Sequence, residues 1–130
     1  MASQVYFLEL KPKDDLANLA KGVAKLADAA GFAEVVTAKR FYMVKTHFGE
    51  RGNNTYVKPE WIKPLITKAK DGGAKVFVSD TNTLYVGSRS NAVDHMTVAR
   101  EHGYTFDALG APVIIADGLL GESQSAVEVN

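Results

Sequence analysis

The sequence of 130 residues contains no cysteine, and this absence excludes several kinds of site. Disulfides, thiolate zinc sites, cysteine nucleophiles and an iron–sulfur cluster held by the chain's own thiolates all require that residue. A net charge is lacking as well, because fifteen Lys and Arg balance fifteen Asp and Glu. No overall field therefore attracts nucleic acid or an anionic membrane, and any charged ligand must be recognised locally.

Long apolar runs are also absent. The longest uncharged apolar stretch, around residues 109–116, is far shorter than the roughly 20 residues of a membrane helix. Residues 1–10 lack the basic and apolar regions of a secretory signal. The aromatic residues show no pattern of a base-stacking platform. We therefore predict a cytoplasmic protein that has neither a membrane nor a nucleic acid as its partner.

What is present is the composition of a folded domain, with 46% hydrophobic and 23% charged residues. A chain of this length predicts a single domain that spans residues 1–130. Strand patterns occur at residues 5–10, 41–47, 75–79 and 111–116. Helical patterns occur at residues 14–30, 61–69 and 91–101, with one further helical turn at 32–36. This alternation predicts an α/β fold, a three-layer sandwich whose sheet is mostly parallel, because parallel neighbours need crossover connections.

Certain residues should mark the ends of these elements. Pro12 is expected to end the first strand, and Gly31 to stop the first helix. Asp14 and Asp15 would lie at the positive end of that helix dipole. Pro64 is expected either in the first turn of the second helix or at a kink.

Three predicted strands end in polar residues, namely His47, Asp80 and Asp117. Ligands of open α/β sheets bind beyond the carboxyl ends of the strands, so these three side chains should lie together. An imidazole and two carboxylates suit either a divalent metal or proton transfer. The alternative is that Asp80 and Asp117 cap the turns or helices that follow them.

The segment 49–54 carries two glycines and two asparagines between two predicted elements. Such a composition is typical of a solvated turn and equally of a nest of N–H groups that holds an anion. It matches neither the phosphate-loop motif nor the dinucleotide-binding motif. His95 lies near the start of its predicted helix, and it is either functional or a hydrogen-bonded packing residue. His102 lies too far along the helix to share a metal with it.

Five segments in a fixed order resemble one family: VKTHFGERGNNTYV at 44–57, DTNTLY at 80–85, NAVDH at 91–95, AREHGY at 99–104 and GAPVIIADG at 110–118. The family is the domain of unknown function 362, and the resemblance runs from roughly residue 39 to residue 121. The resemblance suggests an association with iron–sulfur proteins, because many members of this family carry a ferredoxin-like cysteine module after this domain. The resemblance implies the N-terminal portion of a larger family domain, with a 4Fe-4S cluster expected only in longer members. It also implies that a C-terminal iron–sulfur portion is missing, so that this portion or a second copy of the chain is the expected partner.

We therefore predict a site for a metal or a small anion at the strand ends, redox-linked through a separate cluster module. The predicted catalytic residues are His47, Asp80 and Asp117. The predicted contacts to an anionic substrate are Lys45, Arg51, Asn53, Asn82 and Arg89. The predicted ligands of a divalent metal are His47, Glu50, Asp80 and His95. The alternative function is a non-catalytic structural or interaction module that has no ligand site of its own.

Overall fold

Helices and strands alternate in the computed structural model, which describes residues 3–11, 13 and 15–129. In chain order they are α1 (Leu16–Ala29), α2 (Phe32–Val35), β1 (Phe41–Lys45), α3 (Pro59–Asp71), β2 (Lys75–Asp80), α4 (Ala92–Glu101), α5 (Phe106–Leu109) and β3 (Val113–Ile115). The prediction of an α/β fold is confirmed.

The three strands form one sheet in the order β1-β2-β3, and both neighbouring pairs are parallel. Met43 pairs with Phe77 between the first two strands, and Ser79 pairs with Ile114 between the last two. The connection from β1 to β2 contains the helix α3, and the connection from β2 to β3 contains α4 and α5. Strands that follow one another in sequence order with right-handed crossovers have their connecting helices on the same side of the sheet.

The hydrophobic core lies on that one side. Its buried members are Phe48, Ile62, Ile66, Ala69, Val76, Val78, Ala99, Tyr104, Leu109 and Ala111. On the other side of the sheet, Phe41, Met43 and Ile114 are exposed. The third layer of the predicted sandwich is therefore not confirmed for the part of the chain that the structure describes.

Helix α1 forms where the sequence predicts it and packs along α3. Asp15 caps it, because its Oδ1 accepts a hydrogen bond of 2.7 Å from the N–H of Asn18. Gly31 follows in the left-handed region at φ 71° and separates α1 from α2, as predicted. Asp14 lies outside the described residues. Pro64 lies inside α3 beyond its first turn.

The strand predicted at residues 5–10 is wrong, because these residues are irregular and do not join the sheet. Leu8 instead packs on α1, where its Cδ2 atom fills the space that a β-carbon at Gly22 would need. Pro12, which was expected to end this strand, lies outside the described residues. The prediction also missed α5, and β1 ends at Lys45 rather than at His47.

Candidate functional site

Asp80 is the centre of a charged cluster at the carboxyl end of β2. Only 3% of the residue is exposed, so its carboxylate depends on protein donors. The N–H of Phe48 donates to Oδ2 at 3.1 Å, and the N–H of Thr81 donates to Oδ1 at 2.9 Å. Two cations complete the shell, Lys45 with Nζ at 2.8 Å and Arg89 with NH1 at 3.2 Å. We call Lys45, Glu50, Asp80, Arg89 and His95 the Asp80 cluster.

Arg89 joins Asp80 to Glu50. Its guanidinium is 4% exposed, and its NH2 lies 2.7 Å from Oε1 of Glu50. NH2 also donates to the hydroxyl of Tyr85 at 2.9 Å, and that hydroxyl in turn donates to Glu50. The hydrogen bond from Arg89 is the main reason why the pKa of Glu50 is lowered. Tyr85 is the member of this network that the sequence analysis missed, since it lies in a loop without periodicity.

His95 is fully buried in α4 and faces Asp80. Its Nε2 lies 3.3 Å from Oδ2 of Asp80, and neither ring nitrogen makes a well-formed hydrogen bond within the described residues. The ring of Phe48 meets the imidazole edge-on, with centroids 5.6 Å apart. The helix that carries His95 begins where Oδ1 of Asn91 accepts from the N–H of Asp94 at 3.0 Å. His95 therefore has both a packing contact, with Phe48, and an electrostatic contact, with Asp80.

The ionisation of Asp80 is fixed by its surroundings. Burial alone would raise the pKa of this carboxyl. His95, Lys45 and the two backbone N–H groups outweigh burial and hold its pKa well below the ordinary value. Asp80 therefore stays charged at neutral pH, which suits an organising group better than a group that gives and takes protons.

Residues 46–58, which we call the site loop, are held against the helices. Phe48 is fully buried, and its carbonyl oxygen lies 2.8 Å from Nδ1 of His102. The ring of Tyr56 stacks on His102 with centroids 4.1 Å apart. The hydroxyl of Tyr104 donates to the carbonyl of Val57. His102 thus anchors this loop at the end of α4.

His47 lies in the site loop just beyond β1, and its side chain is exposed. Its Nδ1 accepts a hydrogen bond of 2.9 Å from the N–H of Gly49. Burial is the largest cause of its lowered pKa, followed by the charge of Arg89, while Asp80 and Glu50 act in the opposite direction. The charges of Arg89, Asp80 and Glu50 therefore act on His47 from across the same sheet edge.

Asp117 is engaged elsewhere. It accepts hydrogen bonds from the backbone N–H of Asn82, at 2.9 Å to Oδ2, and from the side-chain amide of Asn82, at 3.2 Å to Oδ1. The same amide donates to the carbonyl of Gly118 at 2.8 Å. Asp117 and Asn82 therefore bind the turn after β3 to the end of β2. This arrangement matches the turn-capping alternative for Asp117.

Two of the predicted anion contacts also have local partners. Arg51 forms a bidentate pair with Glu101, with Nε at 2.9 Å and NH2 at 3.1 Å. The side chain of Asn53 closes a turn by accepting from the N–H and hydroxyl of Thr55. The structure thus does not bring Arg51 and Asn53 into the Asp80 cluster.

The predicted metal ligands do not form a coordination site. Within residues 3–11, 13 and 15–129, no group of three or more Asp, Glu or His side chains is arranged to hold a metal ion. Lys45 and Arg89 occupy the oxygens of Asp80 that a metal would need. The residues present therefore do not fit a divalent metal.

The fold and the cluster define an α/β domain with charged and polar side chains at the carboxyl edge of its sheet. Residues 43–130 match the family described as Domain of unknown function (DUF362), and the chain belongs to this family. The matched region includes every predicted site residue. Neither the curated proteins nor the solved structures contain a match to this chain. In the described part of the chain, no helix has the length and apolarity needed to cross a membrane.

Proposed function

We propose that this domain binds a small anionic ligand at the carboxyl edge of β1 and β2, with Lys45 and His47 as the groups that contact it. The observation that carries the proposal is the position of these two accessible donors beside the buried, charged carboxylate of Asp80. Parallel α/β sheets bind ligands at this edge. A rigid supporting network is what a binding residue needs in order to keep its geometry.

The ammonium group of Lys45 has hydrogen-bond donors that no described residue uses. Its side chain is 49% exposed, and a single hydrogen bond connects its Nζ to Asp80. An ammonium group carries three hydrogens, so two remain for a ligand. The two cations of the Asp80 cluster balance its two carboxylates, which means that an incoming anion is held by these local donors rather than by a net field.

His47 supplies a directed donor. Because Nδ1 accepts from Gly49, the neutral ring carries its proton on Nε2. The lowered pKa favours this neutral form at pH 7. An anion on Nε2 would stabilise the imidazolium and draw the pKa of His47 upward. We therefore assign proton transfer, if the ligand undergoes a reaction, to His47 rather than to Asp80 or Asp117.

A redox role would need a cluster supplied from elsewhere. No cysteine is present in this chain, so none of its residues fits an iron–sulfur cluster. In the proposal, electrons come from a separate iron–sulfur portion, and the present residues serve only to bind and orient the ligand. Arg51 and Asn53 are left out of the contact set because their local hydrogen bonds already engage them.

The proposal is tested by calorimetric titration of the full chain with inorganic phosphate, sulfate and citrate. We expect at least one of these anions to bind, and Lys45→Ala or His47→Ala to weaken that binding about tenfold or more. Lys25→Ala is the matched control, since it removes an exposed lysine of α1. Equal affinity in all three variants would refute the assignment.

A second candidate is the non-catalytic module in which the Asp80 cluster only stabilises the fold. The larger cavities favour it, because they lie away from the strand ends. One of them, of about 680 Å³, lies between α1 and α3 and is lined by Leu16 and Pro64 among others. If none of the three anions binds while Asp80→Asn strongly destabilises the fold, the second candidate holds.

A further inference from the structure

The outer edge of β3 is open. Toward β2, the carbonyl of Pro112 accepts from Val78 at 2.9 Å, and the N–H of Ala116 donates to Asp80 at 3.2 Å. Backbone groups alternate in direction along a strand, so the N–H and C=O groups of Val113 and Ile115 point away from the sheet. No other described strand pairs with them. An unpaired edge of this kind is a template for a further strand.

A groove of about 550 Å³ runs beside this edge between β3 and the helices α4 and α5. Met96, Phe106 and Val113 give it apolar walls, and the side chain of Phe106 is exposed. Arg100 and Asp107 also line it. Arg100 makes no ion pair with any described residue. A groove between a helix and an edge strand is the geometry in which an extended peptide adds to a sheet.

The C-terminal segment has the properties of such a peptide. Residues 122–129 are exposed and form neither helix nor strand. Val127 and Val129 are 78% and 91% exposed, and Glu128 lies between them. This alternation is a strand pattern without a partner. From residue 101 onward the sequence contains no Lys or Arg, so the segment carries only acidic charges.

We propose that residues 124–129 of one copy add as a β-strand to β3 of a second copy, with Val127 and Val129 in the groove beside Phe106. The backbone groups of Val113 and Ile115 then gain partners, and Glu128, which lies between the two valines, points away from the groove into solvent. Within one copy, the N–H of Ser123 donates to the carbonyl of Asp117 at 3.0 Å and closes a turn before the segment begins. Exchange between two copies keeps this turn intact.

The exchange is reciprocal, so each copy gives one segment and accepts one. A two-fold arrangement of this kind closes on itself and leaves neither β3 free to accept the segment of a third copy. The inference is independent of the anion site, since the groove and the Asp80 cluster share no residue.

Sedimentation equilibrium of the full chain, from micromolar concentrations upward, tests the inference. We expect a dimer whose dissociation constant rises about tenfold or more when Val127→Asp and Val129→Asp are combined. Val35→Asp combined with Val93→Asp is the control, because it places the same two charges at exposed valines that do not line the groove. A monomer at all concentrations, or a dimer that the combined change leaves intact, would overturn the proposal.

Amide hydrogen exchange provides the second readout. The N–H groups of Val113 and Ile115 should exchange more slowly as the concentration of the chain rises, and this dependence should vanish when Val127→Asp and Val129→Asp are combined. Slow exchange that does not change with concentration would show that the segment folds back on its own β3. That result would overturn exchange between copies.

Discussion

Replacing Asp80 with Asn is the sharpest perturbation of the charged cluster, because the side chain keeps its size and loses only its charge and one acceptor. Lys45 and the N–H of Thr81 face Oδ1, while Arg89 and the N–H of Phe48 face Oδ2. In either orientation of the new amide, its NH2 group takes the place of one carboxylate oxygen and therefore faces two donors. A buried donor left without an acceptor costs about 1–3 kcal/mol, and this cost applies to Arg89 and the N–H of Phe48 more than to the half-exposed Lys45.

The free energy of unfolding should fall by about 3–5 kcal/mol, the usual cost of removing one partner from a buried ion pair, because the side chains of Asp80 and Arg89 are each 4% exposed. Urea denaturation followed by circular dichroism measures it. With an m-value of about 2 kcal/mol per M, the midpoint should fall by about 2 M. A fall of less than about 0.5 M with an unchanged m-value would refute the reasoning.

Asp28→Asn is the matched control for this experiment. Asp28 accepts from Nζ of Lys68 at 2.7 Å, nearly the distance at which Lys45 meets Asp80, but its side chain is 63% exposed. An exposed pair of this kind contributes less than about 1 kcal/mol. The difference between the two variants isolates the effect of burial from that of the Lys–Asp contact.

The same pair of proteins gives a pH test. A carboxyl whose folded pKa is lowered contributes stability above its unfolded pKa of about 3.9. That contribution is lost as the pH falls through the folded pKa. The stability difference between the wild type and Asp80→Asn should therefore shrink below about pH 4. A difference that stays constant into strong acid would contradict the lowered pKa.

Three further predictions concern the site loop and the residue that packs on it. Gly49→Ala should lower the free energy of unfolding by about 3 kcal/mol, because φ is 91° and the new Cβ would lie 2.8 Å from the side chain of Tyr56. Gly52→Ala should lower it by only about 1 kcal/mol, because φ is 82° but the space around the new Cβ is open. Equal losses of stability in urea denaturation would contradict the steric argument. Burial raises the pKa of Tyr104 to about 12. Absorbance at 295 nm should therefore show one of the five tyrosines ionising at higher pH than the others. A single common step near pH 10 would refute this prediction. The imidazole of His47 should titrate by NMR with a midpoint below about 6.5, and a higher midpoint would contradict the burial that lowers its pKa.

The pattern of residues within a segment predicted the bounds of several helices and strands. The apolar spacing of α1 and the branched residues of β2 place both elements within a residue or two of their observed bounds. The segment 5–10 has an equally good strand composition, yet it lies outside the sheet. A strand needs a partner strand, and its composition does not reveal whether one is available. Here the contact of Leu8 with Gly22 on α1 holds the segment instead.

The same distinction applies to the candidate site. The rule that parallel strands share a carboxyl edge predicted that His47, Asp80 and Asp117 lie together, and in the structure the charge of Asp80 acts on His47. Asp117 also follows a strand, but the turn after β3 directs its carboxylate to Asn82. Pairings of this kind depend on where loops return, and the spacing of residues along the chain does not encode that.

The one-sided packing of the helices also determines from which direction a ligand reaches the site. Side chains alternate along β2, so Val78 and Asp80 face the helices, while Ser79 faces the opposite side. Lys45 is in register with Ser79 and therefore starts from that opposite side before its ammonium reaches Asp80 around the strand ends. Ser79 itself is fully buried, but Phe41 and Met43 are exposed on this side, so a ligand reaches the free donors of Lys45 over β1 rather than between the helices. A bulky substituent at Met43, which is exposed on the same side, should then hinder anion binding without disturbing the buried charges.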